Sequence, residues 1–125
     1  MTRTDLASLY AAAVDALCAK YPRQSRAHYL AWLEGAKLGR TTKRIRTKGG
    51  FTDIAKGSLV LFAADPYAAE EGRAGGLEVW APRADGMPNH TLVGAKAVKP
   101  VCELCGGSGQ VKHKTGFVTF ACPEC

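Results

Sequence analysis

Apolar residues at the start of the chain recur at helical spacing. Leu6, Leu9, Tyr10, Ala13, Val14 and Leu17 fall three or four residues apart, so one face of a helix collects them. Thr4 or Asp5 is placed to cap its start. Its end is expected near Lys20, because the residue ahead of Pro22 is pushed out of helical geometry. Ser25 is the next cap, and Arg26 to Leu38 reads as a second helix with Tyr29, Leu30, Trp32, Leu33 and Ala36 on its apolar side. Gly39 is the expected stop. The two helices are expected to pack as a plain hairpin and not as a DNA-reading helix-turn-helix, with Tyr29 and Trp32 in the core.

Beyond Gly39 the period changes. Thr42 to Thr47 alternates weakly around Ile45, and Gly49-Gly50 marks a turn. Ser58 to Phe62, Leu77 to Ala81 and Thr91 to Val98 are rich in Val, Leu and aromatic residues and predict short strands. Gly57, Pro82, Gly86, Pro88 and Pro100 punctuate them. Asp65-Pro66 opens an acidic stretch through Glu70 and Glu71, where Asp as cap and Pro at the first helical position predict one short helical turn. The expected class is α+β. An N-terminal helical hairpin packs on a small, bent antiparallel sheet or partial barrel over residues 1–100, and a four-cysteine zinc module occupies 101–125.

Length and composition narrow the function classes. A chain of 125 residues and 13.3 kDa holds about one domain. Its 46% apolar and 22% charged residues are ordinary for a globular protein. No run of 18 apolar residues occurs, so no membrane span is expected. The alanine-rich stretch Leu6 to Cys18 is broken by Ser8 and Asp15, unlike a signal peptide, and Leu17 ahead of Cys18 does not suit a lipoprotein site. A cytoplasmic setting is therefore expected, where clustered cysteines point to metal before disulfide.

The net charge of +6 has a location. Lys37 to Gly57 carries Lys37, Arg40, Lys43, Arg44, Arg46, Lys48 and Lys56 against the single acid Asp53, which accounts for the whole surplus. A cluster of this kind suits contact with phosphates, because each neutralised phosphate releases counterions. The alternative for this segment is a solvated connector between a helix and a strand. The candidate nucleic-acid-binding residues are Lys37, Arg40, Lys43, Arg44, Arg46 and Lys48.

The C-terminus carries Cys102-Glu-Leu-Cys105 and Cys122-Pro-Glu-Cys125, with sixteen residues between the pairs. Each two-residue spacer lets the backbone fold back so that both sulfurs face one ion, and four thiolates satisfy tetrahedral zinc. Gln110 to Ala121 is expected to form a hairpin, with Lys114-Thr115-Gly116 near its tip, bringing the pairs together. The predicted metal ligands are Cys102, Cys105, Cys122 and Cys125 around one structural zinc ion. Four thiolates close the site, so the metal holds structure and leaves no position open for catalysis. Spacing argues against iron-sulfur ligation, and His113 is expected on the hairpin surface. Cys18, remote from both pairs, is expected to be a small buried hydrophobe. Four thiolates and one zinc ion together subtract two charges, leaving about +4.

Cys102-Glu-Leu-Cys105-Gly-Gly107-Ser-Gly109 fits C-x-x-C-x-G-x-G at every fixed position. This stretch resembles the cysteine-rich zinc-binding repeat of DnaJ-type chaperones. The second half matches as Cys122-Pro-Glu-Cys125, without the two following glycines, so the resemblance covers about 24 of the 125 residues. It implies a zinc-holding pair of hairpins. Similar single modules occur in small bacterial and phage regulators, including some antiterminators. No His-Pro-Asp tripeptide occurs, so the resemblance does not extend to a J-domain.

Catalytic motifs are absent from the sequence. There is no phosphate-loop pattern and no G-x-S-x-G elbow. Glu70 and Glu71 are adjacent, which does not aim two carboxylates at one substrate, and His28, His90 and His113 are scattered. An enzyme would need a pocket uniting residues such as Asp53, Glu78 and His90. Asn89-His90-Thr91 matches a glycosylation sequon that a cytoplasmic protein would not use. The expected function is a non-enzymatic, zinc-containing regulator that binds nucleic acid or a nucleoprotein complex. The alternative is a protein-binding inhibitor or adaptor, phage- or plasmid-encoded, directed at a host defence or transcription complex, with Asp65 to Glu71 as its contact surface. Neither a membrane nor a small-molecule substrate is expected as a partner.

Overall fold

Two helices and a five-stranded antiparallel sheet form an α+β body. The computed structural model describes residues 2–47, 52–65 and 76–101, and the backbone of 110–112 and 119–121. Helix α1 spans Arg3–Lys20. Thr2, not Thr4 or Asp5, caps it: the Thr2 hydroxyl accepts from the Asp5 amide at 3.2 Å, and the Asp5 carboxylate accepts from the Thr2 amide at 2.9 Å. The capping bonds hold the Asp5 carboxyl below its ordinary range. Helix α2 spans Arg26–Gly35 and starts, as expected, at Ser25, whose hydroxyl accepts from the His28 amide. Arg3 ties the helices together. Its Nε and Nη2 donate to the carbonyls of Ala36 (2.9 Å) and Leu33 (2.7 Å), placing a cation at the C-terminal end of α2.

Helix α2 is shorter than predicted. It ends at Gly35, Ala36 turns extended, and Lys37–Thr41 forms strand β1. Gly39 is therefore not a helix stop. It lies buried in the middle of β1, where a Cβ would come within 2.6 Å of Val98 Cγ1 and 2.8 Å of the Phe62 ring. Strand pairing on both sides of β1 overrides the local helical pattern at Leu38.

The remaining strands are β2 (Ile45–Arg46), β3 (Asp53–Ile54), β4 (Leu59–Ala64), β5 (Gly76–Ala81), β6 (Asn89–Gly94) and β7 (Val98–Pro100). The main sheet runs β6-β5-β4-β1-β7, all neighbours antiparallel, and β2 pairs with β3 separately. The single strand predicted over Thr91 to Val98 is two strands on opposite edges of the sheet. A 3-10 turn at Ala95–Ala97 carries the chain from one to the other. The predicted turns at Gly49-Gly50 and after Asp65-Pro66 lie outside the described residues.

Side chains alternate across a strand, so register decides which core each residue joins. The paired row Leu38, Leu61, Trp80 and His90 faces the helices. There Leu6, Tyr10, Ala13 and Val14 of α1 pack with Leu38, Leu61 and Trp80, and Tyr29, Trp32 and Leu33 of α2 close over them. Tyr10 is fully buried, with the rings of Trp32 and Trp80 each 5.0 Å away. Burying one such aromatic side chain removes about 150–250 Å² from water, worth roughly 4–6 kcal/mol before cavity and entropy terms. The opposite face carries a second core of Val60, Phe62, Val79, Ala81, Ala97 and Val98, covered by Ile45 and Ile54 of the β2–β3 ladder. Leu9 is exposed, because the buried stripe of α1 passes through Leu6, Tyr10 and Val14 beside it.

Candidate nucleic-acid interface

The basic segment does not fold as one connector. Its described residues include β1, β2 and β3, and five of its seven cations fall into two groups. Arg44 donates to Asp53 through Nε (2.8 Å) and Nη2 (2.7 Å), a bidentate pair across the β2–β3 ladder. This bond, and then the field of Arg46, hold the Asp53 carboxyl below its ordinary value. Arg46 is exposed and directly opposite Asp53 in register. The charge of this ladder is therefore partly cancelled. Lys37 is exposed at the start of β1, opposite Phe62. Lys48 lies outside the described residues.

The second group gathers at the C-terminal end of β1. Thr41 Oγ1 donates to the Ala55 carbonyl at 2.8 Å, and the Gly57 amide donates to the Thr41 carbonyl at 2.9 Å, which ties the turn carrying Lys56 to this end. Arg40 Nη1 donates to the Gly57 carbonyl at 2.9 Å. On the other side, the Thr42 amide donates to Ala97 O at 2.9 Å and the Thr42 hydroxyl to Lys96 O at 2.5 Å. Register places Lys99 of β7 directly opposite Arg40. Arg40, Lys43, Lys56, Lys96 and Lys99 are all exposed, and none has an ion-pair partner among the described residues. Sequence reasoning missed Lys96 and Lys99, because only the pairing of β7 with β1 brings them here.

A different set of groups meets between the helices and the sheet. His90 Nε2 is 3.6 Å from Glu78 Oε2, and the His90 ring lies 4.8 Å from Trp32, 6.0 Å from Tyr10 and 6.2 Å from Tyr29. Burial first, then the nearby His28, push the His90 imidazole down to about 4. Burial, reinforced by the charge of Asp65, pushes Glu78 upward, and burial raises the Tyr10 hydroxyl well above its usual range. His90 and Glu78 thus come together, and Asp53 does not join them: it sits on the β2–β3 ladder with Arg44. Beside His90 an open cavity of about 450 Å³ is lined by Leu17, Lys20, Tyr21, Tyr29 and the β5–β6 loop. Asn89 of the sequon is only 4% exposed, which closes it to modification in the folded chain.

Cys102, Cys105, Cys122, Cys125 and His113 lie outside the described residues. Between the two cysteine pairs, strands β8 (Gln110–Lys112) and β9 (Thr119–Ala121) pair antiparallel with Gln110 opposite Ala121, as the predicted hairpin requires. No group of three or more metal-ligating side chains occurs among the described residues. Cys18 is half-buried against the helical core, with its thiol 3.7 Å from the Gln24 carbonyl. No described helix is long and apolar enough to cross a membrane. No protein-family model, curated protein or solved structure matches the chain.

Proposed function

We propose that the protein is a non-enzymatic, zinc-containing regulator that binds nucleic acid, free or within a nucleoprotein complex, through its basic segment. One observation carries this reading: Arg40, Lys43 and Lys56 are exposed at one end of β1 without acidic partners among the described residues. A phosphate backbone offers the matching charge, and contacts of this kind position a partner without reading its bases.

The donor set suits zinc. Four cysteines in two C-x-x-C pairs supply four soft ligands, and no other metal-ligating set occurs among the described residues. Support comes from the β8–β9 register. Gln110 and Ala121 pair directly, and in sequence one cysteine pair precedes Gln110 while the other follows Ala121, which is the arrangement that a hairpin clasped by one ion needs. When bound, zinc supplies cross-linking of this hairpin and no chemistry.

A pull-down from host lysate with and without nuclease tests the reading. Capture that nuclease abolishes supports it. Nuclease-resistant capture of a single protein overturns it in favour of a protein-binding inhibitor or adaptor.

A further inference from the structure

Resting on the nucleic-acid reading, we infer that the contact surface is the C-terminal end of β1 with the turns tied to it. Arg40, Lys43, Lys56, Lys96 and Lys99 form it, and its partner is the sugar-phosphate backbone of a double helix. The surface is thus not the continuous basic segment. Two of its five cations come from beyond residue 95, and Arg44 and Arg46 are left out.

Arg40 and Lys99 stand directly opposite each other on neighbouring antiparallel strands. Strands are about 4.8 Å apart, and like charges so placed destabilise a sheet. Each is exposed, and neither has a carboxylate partner among the described residues. An external polyanion converts that repulsion into attraction. The bonds from Thr42 to Lys96 O and Ala97 O, and from Gly57 to Thr41 O, fix the backbone on either side, so the five cations stand on anchored segments. Arg44 differs, because its guanidinium already holds Asp53 in a bidentate pair. Arg46 faces the same carboxylate.

Duplex is favoured over single strand by where the rings are. Proteins that hold single strands stack bases on exposed aromatic side chains. Here Tyr10, Tyr29, Trp32 and Trp80 belong to the helix–sheet core and Phe62 to the second core. Tyr21 lines the cavity beside the β5–β6 loop. No described aromatic residue belongs to the strands and turns that carry the five cations, so among the described residues the surface offers charge without stacking, which suits backbone contacts on a duplex.

Fluorescence anisotropy tests this with a labelled DNA duplex and its separated strand, titrated between about 50 and 200 mM salt. The 125-residue chain should prefer the duplex, regardless of base sequence. Replacing Lys96 and Lys99 together by Ala should lower the slope of log affinity against log salt by about 2, near 0.9 for each phosphate lost. Lys99→Glu should weaken binding while raising the urea midpoint, because it sets an acid opposite Arg40 and separates binding from folding. The charge-neutral double variant Arg44→Ala with Asp53→Ala should leave the slope unchanged. Wild-type binding by the Lys96/Lys99 variant, with weakened binding after Arg40→Ala and Lys43→Ala, would overturn the surface while leaving the broader reading intact. Equal or tighter binding to the single strand would overturn the duplex assignment. No binding of the wild-type protein to either probe would overturn both.

Discussion

Replacing Gly39 by Ala adds one methyl group at the most crowded point of β1. That methyl would lie 2.6 Å from Val98 Cγ1 and 2.8 and 2.9 Å from two Phe62 ring carbons, against an ordinary carbon–carbon separation of about 3.5–4.0 Å. Phe62 is buried between β1 and β5, so most of the adjustment falls on β7, a three-residue edge strand. Overpacking of this kind costs about 1–3 kcal/mol. The lower entropy of the unfolded alanine chain returns about 0.4–1 kcal/mol. The net expectation is a loss of about 1–2 kcal/mol, or a fall in Tm of roughly 4–8 °C. Urea denaturation of the wild type, Gly39→Ala and Gly39→Asn measures it. Asparagine is tolerated at a helix C-terminus but adds more bulk to a crowded strand. The structure therefore predicts Asn as worse than Ala, with Val98→Ala partly rescuing the Gly39→Ala variant through non-additivity. A Gly39→Asn protein as stable as the wild type would refute the packing argument and restore the helix stop. Because β7 carries Lys99 opposite Arg40, the same variant should also weaken polyanion binding.

Three further outcomes are expected. Arg3→Ala should lower stability by about 1–2 kcal/mol in urea, since it strips donors from the Leu33 and Ala36 carbonyls, whereas Arg26→Ala, which breaks an exposed pair with Asp15, should cost under about 1 kcal/mol. The folded His90 imidazole titrates near 4, below its ordinary 6.5, so the unfolded chain binds the proton more readily. His90 therefore removes stability as pH falls from about 6.5 towards 4, by up to about 3 kcal/mol, while the raised Glu78 opposes this above its ordinary 4.5. Urea midpoints at neutral and acidic pH should differ less in His90→Gln than in the wild type. Metal analysis should find one zinc per chain. Chelation or Cys105→Ser should release it and leave the helical circular dichroism in place, because α1 and α2 pack on their own core.

What could be seen in advance follows from how local each signal is. The apolar stripe of α1, the Ser25 cap and the Val- and Leu-rich β4 and β5 are spelled out by neighbouring residues, and the structure has them close to where expected. Strand β1 was hidden because Lys37 and Arg40 bracket Leu38 and Gly39, so its burial pattern is not a clean alternation. The break at Ala95–Ala97 was hidden because the residues on both sides favour strands, and only the sheet order shows that they belong to opposite edges. The candidate site divides in the same way. A run of cations is visible in a sequence, but the cancellation of Arg44 by Asp53 and the arrival of Lys96 and Lys99 beside Arg40 and Thr42 depend on register. Similarly, Glu78 and His90 are twelve residues apart and meet only through the β5–β6 pairing.

Polyanion contact confined to the end of β1 is visible in an amide chemical-shift titration with duplex DNA. Shifts should cluster at residues 40–43, 55–58 and 96–99 and vanish at high salt, while the amides around His90 and the β5–β6 loop stay in place. Shifts centred on the His90 cavity, or no shifts at low salt, would contradict it.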